Sequence, residues 1–191
     1  MSEAAVAARQ VEGRTVPAPG TWVPDPAHSS FEFVARHMMA KVRGRFTEFT
    51  ATVNIAERPE DSSVTAEVDT NSVTTRDERR DGHLRSPDFF DVERYPKITF
   101  RSAAVRPGRD ENEWLLDGEL TIIGKTRPVT WNLEFHGAGK DPWGGTRAAF
   151  SAWTEVDRTD WGLTWNSPLE TGGFLLSDRV RLEVDVELVK Q

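Results

Sequence analysis

Val180-Arg181-Leu182-Glu183-Val184-Asp185-Val186-Glu187-Leu188 alternates apolar and polar side chains without a break. Successive side chains of a β-strand point to opposite faces, so aliphatic groups line one face of this stretch and charges the other. One dry face and one wet face mark an antiparallel sheet exposed on one side. Strands of a parallel sheet, covered on both sides, read instead as continuous apolar runs.

The same period runs back through the chain. Phe31, Phe33, Ala35 and His37 share a face opposite Glu32 and Arg36, and Val42, Gly44 and Phe46 continue it. Parity slips at Phe49 before Ala51, Val53 and Ile55 resume, which predicts a bulge or sharp bend inside one long strand. Val64, Ala66 and Val68 form another inward row, followed by Ile98, Phe100 and Ser102, and by Gly118, Leu120 and Ile122. A hairpin at Gly124-Lys125-Thr126 leads to Val129, Trp131, Leu133 and Phe135, and Ala148, Phe150, Ala152 and Thr154 come next. The pattern gives roughly eight or nine amphipathic strands.

Residues 74–92 depart from it. Thr75 with Glu78 fits a capping box that opens a helix to about Leu84. Ser86-Pro87-Asp88 fits the start of a second short helix carrying Phe89, Phe90 and Val92. Residues 1–19, Ala-rich with scattered charges, read as a flexible tail, disordered or loosely helical, which leaves residues 20–191 as the folded domain.

Amphipathic antiparallel strands bury one face by stacking into a sandwich or by closing into a barrel. Small inward residues (Ala35, Gly44, Ala66, Ser102, Gly118, Ala148, Ala152) beside large aromatics leave interior volume. An eight-stranded barrel has room there for one small ligand, so the barrel is the preferred reading. Seven tryptophans against one tyrosine also need a core, a cavity or an interface to hold them.

Composition excludes much else. The chain of 191 residues has no cysteine, hence no disulfide, thiolate metal site or cysteine nucleophile. Its net charge of −7 argues against nucleic acid as a partner, and no apolar run approaches the ~18 residues of a membrane span. His28, His37, His83 and His136 show neither H-x-H nor H-E-x-x-H spacing, so no metal is expected. No G-x-S-x-G turn marks a nucleophile and no glycine-rich phosphate loop precedes a helix, so neither catalysis nor a cofactor is expected. Asp157-Arg158-Thr159-Asp160 reads as an ion-paired corner. No signal-peptide pattern opens the chain, which sets the expectation of a cytoplasmic protein.

Four blocks stand in a telling order: Trp22-Val23-Pro24-Asp25-Pro26-Ala27-His28-Ser29; Val42-Arg43-Gly44-Arg45-Phe46; Arg80-Asp81-Gly82-His83-Leu84 running on to Asp88-Phe89-Phe90-Asp91-Val92 and Tyr95-Pro96-Lys97-Ile98; and Arg158-Thr159-Asp160-Trp161-Gly162. Together they resemble the YceI-like family of polyisoprenoid- and lipid-binding proteins, over about Gly20 to Leu188. The resemblance implies an all-β fold, an extended eight-stranded antiparallel lipocalin-like barrel with two short helices inserted between strands. It also implies non-enzymatic binding, sequestration or transport of a polyisoprenoid, isoprenoid quinone or fatty-acyl lipid in an elongated apolar pocket. A compact barrel that serves as a stress-associated or partner-binding module is the alternative, and a homodimer is compatible with either.

The resemblance supplies no ligand list, so strand parity places the lining. Phe31, Phe33, His37, Val42, Phe46, Ile98, Phe100, Leu120, Ile122, Trp131 and Phe150 face inward. The helical segment adds Leu84, Phe89 and Phe90, and the late corner adds Trp161. A polar head group is expected beside Arg80, Asp81, His83 or His37.

Overall fold

The computed structural model describes residues 7–191. Its strands are β1 (Ala8–Val11), β2 (Arg14–Pro17), β3 (Gly20–Pro24), β4 (Ser30–His37), β5 (Ala40–Phe46), β6 (Phe49–Ile55) and β7 (Ser63–Asp69). The short β8 (Val73–Thr74) and the helix α1 (Glu78–Arg85) follow. The long strands β9 (Lys97–Pro107), β10 (Glu113–Ile122), β11 (Lys125–Lys140), β12 (Thr146–Asp157) and β13 (Leu176–Lys190) complete the chain. No helix among the described residues is long and apolar enough to cross a membrane.

β3 and β4 are two halves of one strand, parted by a 3₁₀ turn at Pro26–His28 that Asp25 caps by accepting the Ala27 amide at 3.0 Å. β5 and β6 are halves of another. The parity slip at Phe49 is a break at Thr47 and Glu48, whose amides donate to Ser72 O (3.3 Å) and Ser72 Oγ (3.1 Å). With the halves joined, eight antiparallel strands form a closed barrel in chain order: β3/β4, β5/β6, β7, β9, β10, β11, β12 and β13. β13 closes the ring. One edge pairs with β12 from Arg147↔Val189 to Asp157↔Arg179, and the other pairs with β3 at Leu188↔Pro24 and with β4 at Val184↔Phe31. A one-residue slip in a strand held on both edges would turn its aliphatic row out to solvent, which accounts for its unbroken alternation.

Three expectations need correction. The first concerns the paired helices. Only the first forms, and Asp77 caps it by accepting the Arg80 amide at 3.0 Å. Thr75 is instead engaged with Asp81, donating through its amide (2.7 Å) and its hydroxyl (2.6 Å). After α1, Ser86 turns back to the helix end, its Oγ donating to His83 O at 2.7 Å. The amides of Phe90 and Val92 then return to the carbonyls of Leu84 and Arg85, and Asp91 sits at φ 46°, outside the right-handed helical region. The segment expected as a second helix is a series of turns.

The second concerns the tail. Its first six positions lie outside the described residues, but β1 and β2 pair as an antiparallel hairpin, Ala8↔Pro17 to Val11↔Arg14. Its two-residue turn, Glu12-Gly13, has positive φ at both positions (50° and 81°), as a type I′ turn requires.

The third concerns the small inward residues. At Gly44 a Cβ would lie 2.2 Å from the Phe33 ring, and at Gly118 it would lie 2.5 Å from both Phe100 and Arg101 O. These two glycines admit neighbouring rings and backbone and add no cavity volume, whereas Ala35, Ala66 and Ala152 do border open interior space, as expected.

Candidate functional site

The barrel interior holds two chambers separated by aromatic side chains. The larger, about 600 Å³, lies at the end covered by α1 and by residues 163–176. The smaller, about 170 Å³, lies at the opposite end. Phe31 lines both. Around it, Phe31–Phe46 (6.2 Å between centroids), Phe31–Trp131 (6.3 Å) and Phe100–Trp131 (6.2 Å) meet edge to face, a geometry that favours aromatic pairs. This layer divides the tunnel. Trp131 is buried with Nε1 unbonded among the described residues, an arrangement that costs about 1–3 kcal/mol.

The site residues placed inward by strand parity fall on the walls of one chamber or the other. Phe31, Phe33, His37, Val42, Phe46, Ile98, Leu120 and Ile122 line the larger chamber, with Leu84, Phe89 and Phe90 from α1 and the turns after it, and Trp161 from the corner. Phe90 packs on Phe46 at 5.5 Å and on Phe33 at 6.4 Å. Phe100, Trp131 and Phe150 belong instead to the smaller chamber. Trp161 is fixed from behind, its Nε1 donating to Leu120 O at 2.9 Å.

The polar groups divide by role. Arg80 and His83 reach the larger chamber, as does Arg79, which the sequence did not single out. Arg80 is partly committed, with Nε donating to Thr75 Oγ1 at 2.7 Å. His83 Nε2 lies 2.8 Å from Asp88 Oδ2, and its ring stands edge-on to Trp165 at 4.6 Å. Asp81 is the exception. It is buried outside both chambers and braces the start of α1 through its two bonds from Thr75. Burial raises its carboxyl, but the Thr75 hydrogen bonds and the Arg85 charge outweigh that and hold it below the ordinary carboxylate value.

Arg158 also lies on the chamber wall, 7 % exposed. It was read as part of an ion-paired corner, yet its main partners are carbonyls. Nη1 donates to Leu163 O (2.6 Å) and Trp165 O (3.0 Å), and Nε donates to Ser177 O (2.9 Å). The pair with Asp178 is longer, at 3.5 Å. Burial pushes the guanidinium below its ordinary value, against the Asp178 and Asp157 charges. Through this residue the loop that carries Leu163 and Trp165 is moulded onto the chamber. Alternation could not reveal it, because the loop has no period.

At the far end, Asp25, His28 and Glu187 converge closely enough to suit a metal ion, but a cation is already present. Arg147 Nη1 donates to Asp25 Oδ2 (2.7 Å) and to Glu187, and its Nε donates to Asp141 (2.7 Å). Hydrogen bonds from Arg147 and His28 hold the Asp25 carboxyl well below its usual range. The hydrogen bond to Asp25 raises His28 above its ordinary 6.5. A group raised on folding stabilises most fully below its unfolded-state value, and the contribution is lost as pH rises through the folded one. The melting-temperature advantage of the native protein over His28→Gln is therefore expected to be greatest below pH 6.5 and to shrink above it. An advantage that grows with pH would show that the imidazolium has no part in the cluster.

The sequence profile of the YceI-like domain family matches residues 22–188. The chain belongs to that family. Among its relatives, a UPF0312 protein of Staphylococcus aureus (strain N315) is 37 % identical over 167 residues, covering 85 % of this chain and 94 % of its own. BcnA of Burkholderia cenocepacia has the same fold, with a TM-score of 0.75 at 24 % identity over 88 % of this chain and 99 % of that one. A domain from Saccharophagus degradans, described as polyisoprenoid binding and implicated in plant cell wall breakdown, matches with a TM-score of 0.65 at 14 % identity, over 91 % of this chain and all of its own.

Proposed function

We propose that this YceI-like barrel binds the hydrocarbon chain of a polyisoprenoid, isoprenoid quinone or fatty-acyl molecule, and carries or sequesters it without chemical change. The observation that carries the reading is the 600 Å³ chamber inside a closed barrel, walled mainly by Phe, Leu, Ile, Val and Trp, with its polar groups confined to a few positions. The description of the Saccharophagus domain as polyisoprenoid binding supports it.

Removal of the chain from water drives binding. An isoprene unit buries on the order of 100 Å², worth roughly 2.5 kcal/mol at ~25 cal/mol/Å². About eight such units would reach the ~18–21 kcal/mol ceiling of real affinities before ordering costs are counted, so tail length has to be set by tunnel depth rather than by affinity. His37, Arg79 and Arg80 suit a carboxylate, hydroxyl or quinone oxygen at the head. Met38 donates its amide to Leu175 O at 2.8 Å, which brings the exposed Met38 and Met39 beside the exposed Phe174 at the rim. An apolar rim of this kind suits collection of the ligand from an apolar donor surface.

The test is purification from the native host without detergent, followed by mass spectrometry of the organic extract. A long-chain apolar species in near-stoichiometric amount is expected. If none co-purifies and the protein also fails to take up an added polyprenol, the lipid reading falls and the compact partner-binding barrel replaces it.

A further inference from the structure

The β1–β2 hairpin lies outside the residues that match the family profile, yet it is built into the barrel. Val16 and Pro17 are buried and form part of the wall of the smaller chamber, beside Ile55 and Trp114. Two arginines pin the hairpin across the barrel end. Arg9 Nη2 donates to Ala56 O (2.7 Å) and Glu57 O (2.6 Å), in the connection between β6 and β7. Arg14 donates to Gly108 O (2.8 Å), Asp110 O (2.5 Å) and Glu113 O (2.9 Å), at the turn between β9 and β10. Its guanidinium also lies 5.2 Å over the Trp114 ring, which itself faces the chamber. Hydrogen bonds from a charged donor are about twice as strong as neutral ones, so five of them hold this hairpin to two separate connections.

We propose that the hairpin is the end-stop of the tunnel: Val16 and Pro17 form the floor of the smaller chamber and fix the longest apolar tail the barrel accepts. This rests on the apolar-ligand reading above and adds the element that sets tail length. Val180 lines the large chamber and Leu188 the small one, eight residues apart on β13. Eight residues span about 27 Å along a strand, or about 20 Å of barrel axis at the usual 35–45° tilt. A tail that passes the aromatic layer therefore ends against the hairpin. Methylene groups beyond that depth find no apolar wall and add nothing to binding.

The experiment measures dissociation constants for saturated fatty acids of increasing chain length, using the full chain and two variants. In the native protein affinity should climb roughly tenfold per two added methylene groups and then stop climbing at a definite length. Arg9→Gln with Arg14→Gln, which unpins the hairpin, should move that limit to longer chains. Val16→Phe, which fills the floor, should move it to shorter ones, and it decides the matter alone if the double variant does not fold. Limits that coincide in all three proteins, or an affinity that climbs without limit in the native one, would overturn the end-stop while leaving apolar binding intact. A native protein that binds no fatty acid is measured in the same way with polyprenols of increasing length, and one that binds neither series would overturn both readings.

Discussion

Arg158→Met should destabilise the protein by about 3–5 kcal/mol in urea unfolding at neutral pH, given about 1–3 kcal/mol for each buried carbonyl left without a donor. Three carbonyls are at stake, those of Leu163, Trp165 and Ser177, in two segments that Asn166 also ties together through the Leu176 amide and carbonyl. Removing the desolvated charge returns part of the loss, which keeps the total below the sum of three full penalties. Arg158→Lys should fall between, because an ammonium is a compact donor and lacks the planar fork that reaches several acceptors at once. Asp178→Asn is the control. Its side chain is 61 % exposed and its pair is long, so it should change stability by no more than about 1 kcal/mol. Equal losses in Arg158→Met and Asp178→Asn would mean that the corner is an ion pair after all. Because Leu163 and Trp165 line the larger chamber, Arg158→Met should also weaken ligand uptake at temperatures where the protein is still folded.

The contrast between Arg158 and β13 shows what sequence can and cannot convey. In β13 each side chain declares its face, because period two is enforced by the pleat and register is enforced by two partner strands. The inward rows containing Phe31, Leu120 and Trp131 were legible for the same reason, and so was the break before Phe49, since a slip in parity has few physical causes. The division of the interior was not. Parity places Val180 and Leu188 on the same face of β13 but carries no information on depth, and they line different chambers. Asp81 was misplaced because its role depends on the fold-back of Thr75 onto the first turns of α1, and the turn at Arg76, φ 62°, that makes this possible has no period to read. The hairpin was overlooked because its strands are four residues each, too short to establish a period of two. The Glu12-Gly13 pair was its available signal, a two-residue turn with glycine second.

Filling the larger chamber from one small residue is the most direct assault on binding. Ala35 lies on β4 between Val42 and Val180 in register, and it faces the chamber. Ala35→Trp should weaken binding of a long-chain fatty acid by about a hundredfold, because an indole displaces about three or four methylene groups at ~0.8 kcal/mol each. Folding stability should change little. A large residue forced into a packed core costs about 1–3 kcal/mol, but here the indole enters open volume walled by Phe33, Phe90 and Leu182 and gains contacts there. The two readouts separate the possible failures. Unchanged affinity with unchanged stability would place the ligand elsewhere in the barrel. A stability loss of several kcal/mol would mean that the space beside Ala35 is already filled by side chains, and the argument from cavity volume would go with it. The substitution lies on the opposite side of the aromatic layer from Val16, so its effect should be similar for every chain length, whereas Val16→Phe should act only on the longest tails.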